Sequence, residues 1–160
     1  MSPTPVRFHD PRATLADFAS SILVRCPRCE RIAHFERRPC TLRSADRGTH
    51  PHSRVVCRSC GLCRDGSRPY GFSRYTSACS YPARWLRTGI RHGELWAYNL
   101  QHLDLIRRFV AADLRERAPW YDTGQKMTLV ARLPAWMKNA RNRTEVLRAV
   151  HRLQVSVIAD

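Results

Sequence analysis

Two periodicities divide the chain. From Glu94 onward apolar residues recur three and four apart: "ELWAYNLQHLDLIRRFVAADLRER" puts Trp96, Leu100, Leu103, Ile106, Phe109 or Val110, and Leu114 on one stripe. The pattern predicts an amphipathic helix of about six turns, stopped by Pro119. A connector, "APWYDTGQKMTLVAR", follows. "LPAWMKNA" then places Pro134 at the first position of a helix, and "RTEVLRAVHRLQ" continues with Leu147, Val150 and Leu153 in register, with a bend at "RNR" and Thr144 as cap.

Between Arg25 and Tyr81 no helical period is found. Short strand-like runs alternate with Pro, Gly and Ser: "RIAHFERR" and "HSRVVCR" read as two strands of a hairpin and "GFSRYTS" as a third. The polar, basic stretch "PCTLRSADRGTHP" between the first two is expected to project as a loop or finger. Upstream, "MSPTPVRFHDPR" has three prolines and reads as a loose leader. "TLADFASSIL" sets Leu15, Phe18 and Ile22 at helical spacing behind Thr14, yet "SILVRC" reads equally well as a strand.

The cysteines change this picture most. Six of the seven lie between Cys26 and Cys63. Cys26 and Cys29 form one CxxC pair, Cys57 and Cys60 a second, and 27 residues separate them. Paired spacing of this kind places each pair on a tight turn, and a hairpin brings the turns together as a tetrahedral four-thiolate zinc site. Pro27 within the first pair and Gly61 after the second are residue types that such turns use. The expected cofactor is therefore one structural zinc ion held by Cys26, Cys29, Cys57 and Cys60.

Three other chemistries fit less well. Cys63 extends the second pair to CxxCxxC, but "RDGSRP" lacks the fourth cysteine and the proline of an iron–sulfur motif. A zinc deaminase places its HxE motif before the cysteine pair, whereas "HGE" follows both pairs here. A redox CxxC calls for a βαβ setting, which the strand pattern does not supply. Cys40, Cys63 and Cys79 are left without an assigned role, although Cys63 could replace Cys60 as a ligand. His50 and His52 in "THPHSR" read as loop residues. A four-thiolate site leaves no open position on the metal, which argues against metal catalysis.

The expected architecture is thus α+β: a leader with a short helix over 1–24, a small antiparallel zinc ribbon over 25–93, and a helical region over 94–160 packed on the ribbon. A chain of 160 residues fits one ordinary domain. No apolar run reaches the roughly 18 residues of a membrane span, and no signal-peptide pattern is found, so a cytoplasmic protein with no membrane partner is expected.

Charge points to a partner. Lys and Arg number 28 against 13 acids, a net charge of +15, and residues 25–94 hold 15 of the basic groups with only 5 acids. Lys126 and Lys138 are the two lysines, so the excess is arginine, which fits either codon bias in a GC-rich genome or the use of a planar fork that suits phosphate. Arg43, Arg47, Arg54, Arg58, Arg68 and Arg74 are the candidate phosphate contacts, with Tyr70 and Phe72 as candidate stacking residues: arginine interleaved with aromatics in "RPYGFSRYTS" is the composition of a nucleic-acid-binding surface, and the same rings equally fit the ribbon's own small core. The tryptophans Trp85, Trp96, Trp120 and Trp136 fall near the helices and read chiefly as core.

"CPRC", "CRSCG", "WLRTGIRHGELWAYNLQHLDLIRRFVAADLRER" and "LPAWMKNARNRTEVLRAVHRL" together resemble a family of small bacterial proteins labelled as transcription-factor-IIB-type zinc-ribbon-containing. The resemblance runs from Cys26 to Leu153 and implies a ribbon followed by helices, with no established reaction. This chain departs from the family in its leader and in a longer, more arginine-rich loop between the cysteine pairs. The expected function is a non-enzymatic nucleic-acid-binding factor of transcription or translation, acting alone or within a larger nucleoprotein complex. The alternative is a protein–protein adaptor, with Trp136, Lys138, Arg141 and Arg143 of "WMKNARNR" as its contact surface. A nuclease is disfavoured, because Glu30, Glu36, Asp46, Asp65 and Glu94 are scattered and form no paired carboxylate site.

Overall fold

A computed structural model describes residues 5–38, 52–66, 82–115 and 128–160. Its centre is a four-stranded antiparallel sheet of β2 (Ser21–Arg25), β3 (Ile32–Arg38), β4 (His52–Val56) and β5 (Cys63–Gly66), in that spatial order, following β1 (Arg7–Phe8) at the N-terminal side of the chain. The hairpin expected from "RIAHFERR" and "HSRVVCR" is the β3–β4 pair, with Phe35 opposite Val55 and Glu36 opposite Arg54. The third strand expected in "GFSRYTS" lies outside the described residues.

Across "TLADFASSIL", which reads as helix or as strand, the structure holds a short helical turn and then a strand. One 3-10 turn spans Leu15–Phe18, with the Thr14 amide and hydroxyl both donating to the Asp17 carboxylate, and β2 begins three residues later. The strand wins because Ile22, Leu23 and Val24 are buried in succession, which a strand covered on both faces allows. Ile22 and Val24 pack with Ala33, Phe35 and Val55 on the sheet's own core, whereas Leu23 faces the helical core. The segment around Arg84 runs along the free edge of β2, where the Trp85 amide donates to the Leu23 carbonyl at 2.9 Å.

The long helix is also shorter than its stripe predicts. Residues before Asn99 fold as a hairpin of β6 (Arg87–Ile90) and β7 (Gly93–Trp96), pairing Thr88 with Leu95. Gly93 takes φ +148° at the turn. Trp96 and Leu100 share the helical period by coincidence of spacing. Helix α1 covers Leu100–Ala111, capped by the Asn99 side chain, which accepts from the His102 amide at 2.9 Å. Leu103, Leu105, Ile106, Phe109 and Val110 are buried, whereas Leu100 and Leu114 are exposed. The helix ends before Pro119, and β8 (Leu114–Arg115) pairs in parallel with β1.

Two short helices, α2 (Leu129–Arg132) and α3 (Ala135–Lys138), lead to α4 (Arg143–Ile158). Asn142, not Thr144, stands at the N-cap of α4. Val146, Ala149, Val150 and Leu153 pack α4 against α1 and the β6–β7 hairpin, joining the helical core that also holds Leu86, Leu95 and Met137. Each fully buried Leu or Val contributes about 1.5–3 kcal/mol, so this second core rivals that of the sheet. No helix among the described residues is long and apolar enough to cross a membrane.

Candidate metal centre

The four cysteines of the two CxxC pairs come together at one end of the sheet. Cys26 leaves β2, Cys57 leaves β4, and the loops that follow carry Cys29 and Cys60. All four sulfurs lie within 4.8 Å of one another, with Cys26 to Cys60 at 3.7 Å and Cys29 to Cys57 at 3.6 Å. These separations far exceed the roughly 2.05 Å of a disulfide. The group can hold a metal ion.

The two loops repeat one construction. The Cys26 amide donates to the Arg31 carbonyl and the Cys57 amide to the Leu62 carbonyl, each at 2.8 Å and each spanning the same five-residue interval. The residue after the second cysteine is left-handed in both: Glu30 at φ +62° and Gly61 at φ +71°. Within the first loop the Arg28 amide points at Cys26 Sγ, 3.4 Å away.

Two of the neighbouring sulfurs, on Cys57 and Cys29, are shifted in opposite directions. Burial pushes the Cys57 thiol up, but the Cys60 amide and the three other sulfurs outweigh it and bring Cys57 down to about 7. The Arg31 amide draws Cys29 down, but burial and the surrounding sulfurs prevail and push it up to about 12. A divalent cation would replace these protons and favour the thiolate at every position.

Cys63 opens β5, is exposed, and is not among the four clustered cysteines. Cys40, Cys79 and His50 lie outside the described residues, as do Arg43, Arg47, Arg68, Tyr70, Phe72 and Arg74. Of the expected phosphate contacts, Arg58 is exposed at the tip of the second cysteine loop, whereas Arg54 is bound to Asp65 across β4 and β5 at 2.7 Å. Arg28 and Arg31 on the first cysteine loop and Arg64 on β5, which the sequence reading passed over, are also exposed. Like Arg58, none has a side-chain hydrogen bond or ion pair among the described residues.

The expected partner surface in "WMKNARNR" is engaged largely within the chain. Lys138 Nζ donates to the Ala131 carbonyl, and Arg143 donates to the Ala112 carbonyl and to Asp113. Arg143 and Arg115, the latter donating to the Phe109 carbonyl, therefore cap the negative end of α1. Trp136 is half-buried against Gly93, and Arg141 is exposed.

A buried histidine links the two cores. His102, 2% exposed, accepts from the Tyr98 amide through Nδ1, stacks on Phe18 at 5.1 Å and meets Trp96 and Tyr98 edge-on. Burial and the nearby Arg84 guanidinium bring its pKa down to about 4. The sequence offered only its place in the helical run, beside the apolar stripe.

Comparison with known proteins finds no matching family model, no similar curated protein and no similar solved structure.

Proposed function

We propose that Cys26, Cys29, Cys57 and Cys60 hold one structural zinc ion, that the sheet carrying them is a zinc ribbon, and that the chain is a non-enzymatic nucleic-acid-binding protein of the cytoplasm. Membership of the zinc-ribbon family that the sequence resembles is part of the same proposal. Zinc is favoured because a tetrahedron with bonds of about 2.3 Å has sulfurs about 3.8 Å apart, close to the 3.6 and 3.7 Å separations of the two sulfur pairs. Thiolate ligands without carboxylates also favour zinc over magnesium, calcium or manganese. In a closed site of this kind the metal's role is to hold the two loops together.

One observation supports the nucleic-acid reading above the rest: Arg28, Arg31 and Arg58 stand exposed on the two cysteine loops and Arg64 on β5, none with a carboxylate partner among the described residues, as is also true of Arg141, Arg148 and Arg152 in the helical part, whereas Arg54, Arg87, Arg91, Arg107, Arg108 and Arg143 are each paired. Exposed guanidinium groups with no carboxylate partner among the described residues suit a phosphate backbone. The test is affinity for oligonucleotides across ionic strength. Four phosphate contacts would cost about two decades of affinity between 50 and 200 mM salt, and charge reversal at Arg28 and Arg31 would flatten that slope. Binding that ignores salt would overturn the reading. A nuclease-resistant complex with another protein, lost when Arg141 is reversed in charge, would favour the adaptor instead.

A further inference from the structure

We propose that the cleft where the cysteine-bearing sheet meets the start of α1 and the end of α4 binds a nucleoside monophosphate unit. The cleft encloses about 530 Å³, within the range of about 300–1,000 Å³ typical of small-molecule sites. Its lining residues differ in chemistry, and that difference selects the ligand.

The lining includes Arg58 and Ser59 of the second cysteine loop and Asn99, Leu100 and Gln101 at the start of α1. In that turn the Asn99 side chain takes the His102 amide and the Asn99 carbonyl takes the Leu103 amide. The Leu100 and Gln101 amides have no hydrogen bond among the described residues, and both residues line the cleft. A guanidinium without a partner among the described residues, unbonded amides at a helix start and a serine, all lining one cleft, are phosphate-binding groups.

The lining also holds Leu23, Ile32 and Val157, next to Ser20 and Ser21 in the same cleft, and these aliphatic residues give a nucleobase an apolar face to cover. His34 and Asp160 stand beside this surface. Asp160 accepts the Ile32 amide through Oδ2 at 2.9 Å, which leaves Oδ1 for a ring N–H or exocyclic amine of the base. Arg58 and Asp160 do not pair with each other. The carboxylate repels phosphate, so the anionic end of the ligand belongs at Arg58 and the base at Asp160.

The nucleic-acid reading supplies one source of such a unit, an unstacked residue of a single strand, and to that extent the inference rests on it. A free nucleoside monophosphate is the other source. A base inside a duplex is excluded unless it is flipped out, at a cost of a few kcal/mol.

The test uses the full, metal-loaded chain with AMP, CMP, a fluorescent single-stranded decamer and the matching duplex as probes. Ser59→Trp fills the cleft from the loop; Gln101→Trp fills it from the helix and leaves the cysteine loops untouched, and metal content verifies that each variant folds. The expected result is that the single strand binds at least about tenfold tighter than the duplex, and that both tryptophan variants remove this preference while duplex affinity stays within about threefold. Mononucleotide binding blocked by Gln101→Trp, with no affinity for either oligonucleotide, would support the cleft with a free nucleotide as its ligand and overturn the nucleic-acid reading. Equal affinity for single strand and duplex, unchanged by either variant, would overturn the cleft and leave that reading standing. No binding of any probe would overturn both.

Discussion

Glu30 and Gly61 occupy the same place in the two halves of the metal centre, each following the second cysteine of its pair with φ of +62° and +71°. Only one of them is glycine. A side chain in this region costs about 1–2 kcal/mol, part of which is offset by the smaller entropy that glutamate loses on folding. Glu30→Gly is therefore expected to stabilise the metal-loaded protein by about 0.5–1 kcal/mol, and Gly61→Ala to destabilise it by at least about 1 kcal/mol. A Cβ at Gly61 meets nothing within 4 Å, so the second effect is purely conformational. Denaturant midpoints of both variants measure the pair.

Replacing any one of Cys26, Cys29, Cys57 and Cys60 by serine should take bound metal from one equivalent to nearly none and lower the strand signal in circular dichroism, because a structural metal contributes folding free energy directly. Cys63→Ser should retain the full equivalent. If Cys63→Ser lost metal and Cys60→Ser kept it, the ligand set would have to be redrawn with Cys63 in place of Cys60.

Gly93 faces an indole. A Cβ there would sit 3.2 Å from Trp136 Nε1, at a φ of +148° that side chains rarely adopt. Gly93→Ala is expected to cost more than about 1 kcal/mol and to shift Trp136 fluorescence. Gly89→Ala, in the same hairpin with open space around it, should cost less.

His102 makes folding sensitive to acid. Its ordinary pKa of 6.5 falls to about 4 in the fold through burial, with Arg84 adding to the shift. Between these values the unfolded chain binds the extra proton, so stability is full above pH 6.5 and declines as pH falls toward 4, by on the order of 3 kcal/mol. The facing groups Phe18, Trp96 and Tyr98 bring no charge that would offset a protonated ring. Urea unfolding of wild type and His102→Gln at pH 7.5, 6 and 5 isolates this effect, since protonation of the cysteines is common to both. Parallel stability curves would show that His102 is not responsible.

Arginines that bind partners and arginines that hold the fold should separate in one experiment. Arg143→Ala loses its bonds to Asp113 and the Ala112 carbonyl and should cost about 1–3 kcal/mol with oligonucleotide affinity unchanged. Arg58→Ala, at an exposed position without a side-chain partner among the described residues, should do the opposite.

The clearest sequence signals were those that depend on local spacing. The CxxC pairs name the four-cysteine cluster because two turns of fixed geometry need little else, and Val150 and Leu153 find the core because α4 buries a single face. The stripe from Trp96 misled because a strand followed by a helix can imitate one long period. What separates them is the turn at Gly93 and its contact with Trp136, a residue more than forty positions away. Ile22 to Val24 read as helix or strand until both of their faces find partners, Phe35 on one side and the helices on the other. Charge was legible as a total and not as a map: nothing local distinguishes Arg143, which caps α1, from Arg58, which caps nothing.

Ile32 belongs at once to the metal loops, the cleft and the last helix. Its carbonyl lies 3.5 Å from Cys57 Sγ, its side chain lines the cleft, and its amide is held by Asp160 just beyond α4. Chelation of the metal should thus be felt far along the chain, as faster amide hydrogen exchange in the final turn of α4 before the α1–α4 core opens. The end of the chain then acts as a reporter of the state of its cysteines.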